Sequence, residues 1–209
     1  EGTLGVVTAA CLKLFPRPRA HEVALVAVSS AAAALDLLHR MKGATGAVAA
    51  FEIMNRLSVD LVVKNVAERR DPMSGTPFMV LIEFESMDGV GLRASIETAL
   101  SKAIVAGEAE TALIAENASQ ARDFWRIRED ISAGHRPEGA QVNHDVSVPV
   151  SQTPLFLERA NAAAERMCSG ARIVAFGHMG DGNFHYTLMQ PAGSDAAAFP
   201  SAALSQTVY

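Results

Sequence analysis

The pair Asp181-Gly182 lies between two short runs of strand-forming residues, 171–178 and 184–189. An Asp-Gly pair so flanked is a strong short-range signal that two strands fold back on each other. The chain is thereby committed to at least one antiparallel hairpin, and the rest of its pattern has to be compatible with that. Upstream, strand-like and helix-like segments alternate. A strand is expected at 22–28, then a Ser29-Ser30 cap and a helix to Lys42 ended by Gly43. Residues 51–66 carry apolar side chains at Phe51, Met54, Leu57, Leu61 and Val62, a helical period. The pattern restarts with a strand from Pro77 to Phe84, a helix from Gly89 to Val105, a strand at 111–115 and a helix from Ser119 to Ala133. A strand at 140–148 and a helix at 152–168 lead into the hairpin. Segment 4–15 is expected to be extended and to stop at Pro16-Arg-Pro18, because neither proline can donate to a ladder. Beyond Gln190 no element is predicted. Together these point to an α+β fold, an antiparallel or mixed sheet covered by helices, with the helices on one face.

Composition narrows the function classes. With 209 residues and 49% hydrophobic content, one core can be buried without disulfides or metals to hold it. A formal charge of −5 with scattered lysines and arginines offers no basic face for a phosphate backbone, so no nucleic-acid partner is expected. The longest apolar run, Val23 to Leu38, is broken by Ser29, Ser30 and Asp36 and falls short of a membrane span. Cys11 and Cys168 form no C-x-x-C pattern, which suits a reducing, cytoplasmic setting. The chain starts at Glu1 with neither methionine nor leader, as expected of a fragment.

The chemistry concentrates in His178-Met-Gly-Asp-Gly-Asn-Phe-His185. If Asp181-Gly182 forms a two-residue type I′ turn, Gly180 pairs with Asn183, Met179 with Phe184, and His178 with His185. Direct cross-strand partners have Cβ atoms roughly 4.5–5.5 Å apart, which suits two imidazoles converging on one divalent metal at about 2.0–2.1 Å each. Met179 and Phe184 then face the core. The plainer alternative is a hairpin with two half-exposed histidines. A catalytic zinc also takes a third protein ligand, so one more donor is required from elsewhere.

On the helix expected from Ser119 to Ala133, Trp125, Arg128 and Ser132 share a face at i, i+3 and i+7. Arg128 presents a planar fork that matches a carboxylate, although a lone arginine there is as easily one side of a surface ion pair. Along strand 141–149, Asn143, Asp145 and Ser147 share one side and His144, Val146 and Val148 the other. Pattern alone has the polar side facing water.

Four segments, Glu1-Gly-Thr-Leu-Gly-Val-Val-Thr8, Arg128-Glu-Asp-Ile-Ser132, His144-Asp-Val-Ser-Val-Pro149 and Phe176 to His185, resemble successive landmarks of the FAD-linked oxidases of the vanillyl-alcohol-oxidase type. Within that superfamily the chain is similar to D-2-hydroxyglutarate dehydrogenases, D-lactate dehydrogenases and glycolate oxidase flavin subunits, over nearly its whole length. The resemblance implies that residues 1–15 are the tail of a flavin-binding domain, with Gly2, Gly5 and Val7 near the cofactor. Residues 16–190 would then be the substrate- and metal-binding cap domain, and 191–209 a tail leading onward. It further implies that a D-2-hydroxy acid is oxidised to the 2-oxo acid by hydride transfer to FAD while a divalent metal, usually zinc, holds the substrate. His178 and His185 match the metal-binding, catalytic histidines, Arg128 the carboxylate-binding arginine, and Ser132 a substrate-contacting hydroxyl. Asn143 and Thr187 stand at substrate positions where lysine and asparagine are usual. Losing that lysine weakens the case for a dicarboxylate substrate.

The family's third metal ligand, in a downstream Glu-His-Gly motif, and its upstream Gly-rich phosphate loop have no counterpart in these 209 residues. This stretch by itself is therefore expected to bind FAD and metal weakly. The partners implied are a small 2-hydroxy acid, an acceptor that reoxidises the flavin, and, through the apolar surface that would face the flavin, a second copy of the chain. Two other readings stand beside this one. One is a non-catalytic α+β module binding a small molecule or metal through the histidine hairpin. The other is a metal-dependent hydrolase, which would need a carboxylate base where Asp181 points away.

Overall fold

The computed structural model describes residues 5–206. Its first strand, β1 (Ala20–Val28), is buried on both sides from Val23 onward. Ala24, Val26 and Val28 enter one apolar cluster while Val23, Leu25 and Ala27 enter another. A strand apolar on alternate sides needs cover above and below the sheet. The helices supply it on both faces, where the sequence pattern suggested one.

The other strands are β2 (Val48–Asn55), β3 (Phe78–Ser86), β4 (Thr111–Ile114), β5 (Gln141–Ser147), β6 (Arg172–His178) and β7 (Asn183–Met189). They form one sheet in the order β4-β1-β3-β2-β6-β7-β5, with every ladder antiparallel. The helices are α1 (Ala31–Thr45), α2 (Arg56–Asn65), α3 (Leu92–Val105), α4 (Ala118–Glu129), α5 (Ile131–His135), α6 (Thr153–Met167) and α7 (Ser201–Leu204). Helices α1, α3, α6 and α7 bury Leu37, Ile96, Leu157 and Leu204 against one face. Helices α2, α4 and α5 bury Val62, Phe124, Ile127 and Ile131 against the other. Each large side chain fully withdrawn from water contributes roughly 1.5–3 kcal/mol, so the two layers share the stabilisation.

Several expectations need correcting. Residues 51–66 are not one helix: β2 runs to Asn55 and only then does α2 begin. Asn55 makes the junction, its side chain accepting from the amide of Ser58 as the α2 cap and from that of Ala175 on β6, while donating to the carbonyl of Ile173. Helix α1 does not stop at Gly43 but at Gly46, whose φ of 61° is the left-handed conformation a terminating residue adopts. The expected helix 119–133 is two, broken at Asp130. The region after Gln190 contains a short 3-10 turn at Ala196–Ala198 and α7. Residues 5–18 join no strand or helix, and 5–17 are exposed. Among the described residues no helix is long and apolar enough to cross a membrane.

Candidate active site

The hairpin β6–β7 carries both expected histidines, but in a different register. His178 stands opposite Asn183, and His185 opposite Phe176. The loop therefore has four residues, Met179 to Gly182, not two. A type I′ turn needs positive φ at both central positions, and here Gly182 has it (82°) while Asp181 does not. Asp181 instead accepts from the amide of Asn183 at 3.0 Å, and the amides of Asp181 and Gly182 both donate to the carbonyl of His178. The histidines become diagonal neighbours on one face, ring centroids 6.3 Å apart and steeply inclined. Met179 and Phe184 are buried on the opposite side, as the pattern implies.

Phe176 joins His185 to the rest of the site. Its ring centroid is 4.9 Å from that of His185, and the guanidinium carbon of Arg128 sits 4.6 Å from the same centroid. Arg128 thus reaches the hairpin from α4 by packing on an aromatic face, a favourable placement for a cation. Sequence reasoning missed the residue that joins these parts, Glu52 on β2. It stands directly across from His178 in the ladder and is 2% exposed. Its Oε2 accepts from Arg128 Nε at 2.8 Å, and its Oε1 lies 2.5 Å from His178 Nδ1. The signal that would have found it is an acidic residue inside an otherwise apolar strand, which has to be paired when buried.

The second half of the site is a cleft of about 300 Å³ lined by Ser132, Asn143, Asp145, His185 and Thr187, with His135 and Arg136 on its α5 side. Asn143 and Asp145, read from pattern as water-facing, are exposed yet contribute to this wall. Asn143 and Thr187 are cross-strand partners, and the Thr187 hydroxyl donates to the Asn143 side-chain oxygen at 2.9 Å. His185 Nδ1 lies 3.2 Å from an Asp145 oxygen. Burial holds the His185 imidazole below its ordinary pKa; Asp145 and Glu52 oppose the shift while Arg128 and His178 reinforce it. Ser132, carried by α5, shares the cleft with His185. A separate depression of about 400 Å³ runs along His178, Glu52 and Trp125.

Of the expected cofactor-contacting residues, Gly2 lies outside the described residues, and Gly5 and Val7 are exposed in the segment before β1 without lining either depression. For a metal, His178 and His185 each turn Nδ1 to a carboxylate and so keep Nε2 as donor, a fit to two positions of a divalent ion. Among the described residues no group of three His, Cys, Asp or Glu side chains is placed to hold one.

A seven-stranded antiparallel sheet with helices on both faces and a polar hairpin at its open side defines a recognisable class of domain. Residues 17–208 match the family model of FAD linked oxidases, C-terminal domain, and the chain belongs to that family. It is 32% identical over 190 residues to the mitochondrial D-2-hydroxyglutarate dehydrogenase of Arabidopsis thaliana, covering 90% of this chain and 34% of that protein. Identity is 31% over 212 residues to a D-2-hydroxyglutarate dehydrogenase of Xanthomonas citri pv. viticola, covering 97% and 42%. A putative mitochondrial D-lactate dehydrogenase of Schizosaccharomyces pombe is 30% identical over 205 residues, covering 90% and 38%. The chain thus spans roughly a third to two fifths of the length of these relatives. Among solved structures, alkyldihydroxyacetonephosphate synthase superposes with a TM-score of 0.53 at 13% identity, covering 91% of this chain and 40% of that one. The 4-ethylphenol oxidase of Gulosibacter chungangensis gives 0.50 at 12%, covering 94% and 43%. These last two share the fold.

Proposed function

We propose that the chain is the substrate-binding portion of a flavin-dependent dehydrogenase that oxidises a D-2-hydroxy acid, of the D-2-hydroxyglutarate or D-lactate kind, to the 2-oxo acid. The observation that carries this reading is the gathering of His185 and Arg128 on the Phe176 ring, with His178 beside His185, on the open part of the sheet, in a chain similar to enzymes named for those substrates. Residues 1–15 are assigned to the end of the flavin-binding domain, 16–190 to the cap and 191–209 to its continuation. A divalent metal, zinc by the nitrogen donors offered, supplies the charge that polarises the 2-hydroxyl, and FAD the acceptor for the C2 hydride.

The chain's own residues bind and orient. His178 and His185 would hold the metal from two strands, each through Nε2, since Nδ1 faces a carboxylate. Arg128 offers its guanidinium to the substrate carboxylate, and Ser132 a hydroxyl at the cleft. The Asn143–Thr187 pair is uncharged, which suits a short monocarboxylate better than a dicarboxylate. Free Cys11 and Cys168 accord with a reducing compartment such as the cytoplasm.

The test is turnover of D-2-hydroxyglutarate, D-lactate and glycolate with an artificial acceptor by the chain in its full-length context, beside His178→Ala and His185→Ala. Yellow protein with about one metal per chain, and turnover lost in both variants, supports the reading. Colourless, metal-free and inactive protein refutes it and leaves a binding module.

A further inference from the structure

Glu52 is a buried carboxylate shared between two groups of the site, and nothing in the family reading above uses it. Its side chain is 3% exposed, while the side chain of Arg128 is 11% and that of His178 49% exposed. An ionised carboxylate taken out of water is tolerated only where partners compensate its lost hydration. Here there are two, one on each oxygen: Arg128 Nε at 2.8 Å and His178 Nδ1 at 2.5 Å.

We infer that Glu52 is a positioning residue that sets the metal-binding tautomer of His178 and the orientation of Arg128 together. The inference rests on the functional reading proposed above. In the neutral ring the hydrogen on this bond belongs to His178 Nδ1, because the carboxylate oxygen accepts, and the lone pair is left at Nε2. Hydrogen bonding of one ring nitrogen to a carboxylate also raises the basicity of the other as a ligand. On its other oxygen Glu52 takes the Nε hydrogen of Arg128. Among the described residues this is the one hydrogen bond the guanidinium makes, which leaves the hydrogens of both Nη groups available to a substrate carboxylate.

Because Glu52 sits across the ladder from His178, backbone pairing sets the spacing. His185 has the corresponding contact with Asp145, but it is longer, 3.2 Å, and the Asp145 side chain is 69% exposed. Solvent competes for that contact, so the asymmetry assigns the stronger control to Glu52.

The experiment compares wild type, Glu52→Gln, Glu52→Asp and His178→Ala in the full-length flavoprotein. Zinc affinity is read by equilibrium dialysis, the visible spectrum after Co²⁺ substitution, and kcat and KM for the acid substrate. Removing a carboxylate behind a metal-bound histidine typically costs about 10- to 100-fold in metal affinity. Glu52→Gln is expected to lose zinc affinity within that range, to alter the Co²⁺ spectrum and to raise KM. Glu52→Asp should recover part of each. A well-folded Glu52→Gln with unchanged zinc affinity and Co²⁺ spectrum overturns the inference.

Long-range ¹⁵N NMR of histidine-labelled, metal-free wild type is the second measurement and needs no variant. It should show the neutral His178 ring carrying its hydrogen at Nδ1, and an Nε2–H tautomer overturns the inference even if Glu52→Gln does not fold. If His178→Ala loses zinc and Glu52→Gln does not, the inference fails alone. If neither loses it, the metal reading beneath it fails as well.

Discussion

Replacing Gly182 by alanine should destabilise the protein by about 3 kcal/mol, from two separable causes. Gly182 has φ +82°, and a Cβ built there would lie 1.9 Å from the carbonyl oxygen of Val148 and 3.1 Å from its carbon. The left-handed backbone by itself costs an alanine about 1 kcal/mol. The overlap cannot be relieved by a side chain, because both atoms belong to backbone. Either the loop or the end of β5 must move, and the hydrogen bond from the Val148 amide to the Gly182 carbonyl, 3.0 Å, is lost with it. That bond and the accompanying strain account for roughly 2 kcal/mol more. Gly46→Ala is the matched control: Gly46 has φ +61°, and a Cβ there would meet nothing within 4 Å, so it should lose only the first part. Urea unfolding followed by circular dichroism, with unchanged m-values, reads the difference between the variants. Equal losses would refute the close approach of the hairpin loop to the segment after β5.

Three further outcomes follow from contacts elsewhere. Tyr186→Phe removes the hydroxyl that donates to Asn161 on α6 at 2.7 Å and should cost about 1 kcal/mol in urea unfolding; no loss would mean that the bond contributes nothing to joining α6 and β7. Hydrogen bonds from Lys64, Asn65 and Arg172 hold the Glu138 carboxyl down to about 2 from 4.5. A depressed carboxylate stabilises the fold above its unfolded value, so this contribution is present at neutral pH and lost as pH falls from 4.5 toward 2. Lys64 is largely exposed, so screening reduces the effect to roughly 1–2 kcal/mol. Glu138→Gln should flatten that part of the stability–pH curve, and a curve parallel to wild type would refute the assignment. Asn143→Lys places a cation in the cleft beside Thr187 and, by one charged hydrogen bond of about 1.5–3 kcal/mol, should shift the kcat/KM ratio toward D-2-hydroxyglutarate over D-lactate by roughly 10- to 100-fold in the full-length enzyme. An unchanged ratio would show that this pair does not face the distal end of the substrate.

Much of the architecture was legible because most strands and helices announce themselves by period and punctuation. The strand expected at 22–28 and the helix at 152–168 differ from β1 and α6 by a residue or two. The failure at 51–66 has its origin in the doubly covered sheet. In β2, Phe51 and Ile53 enter one apolar layer and Met54 the other, so both sides of the strand are buried and no polar–apolar alternation marks it. Phe51, Met54 and Leu57 then imitate a helix by their spacing. Reading a helix there hid Glu52, since an acidic residue on a helix is ordinarily a solvated one. The hairpin erred differently. Asp-Gly announced the reversal correctly, but the pair does not determine loop length, and Asp181 used its side chain to cap Asn183 instead of entering the left-handed region. The register moved, yet by an even offset, so both histidines kept a common face.

The same layering explains why the site lies where it does. Over β1, β3 and β2 both faces carry helices; toward β7 and β5, α6 and α7 cover one face, while the other holds Asn143, Asp145, His185 and Thr187 around an open cleft. The edge of the cover runs between β2 and the end of β6. Glu52 lies on the covered side of that edge and His178 on the open side, although they are direct ladder partners. A carboxylate in the dry layer therefore acts on an imidazole half in water, and Arg128 comes from the rim of the covering helices to complete the pair. Without Arg128 and His178, Glu52 would be an uncompensated buried charge, and without Glu52, His178 would be a half-exposed histidine with no contact to select its tautomer. The boundary supplies each with what the other lacks, which places this polar group at the limit of the second helical layer.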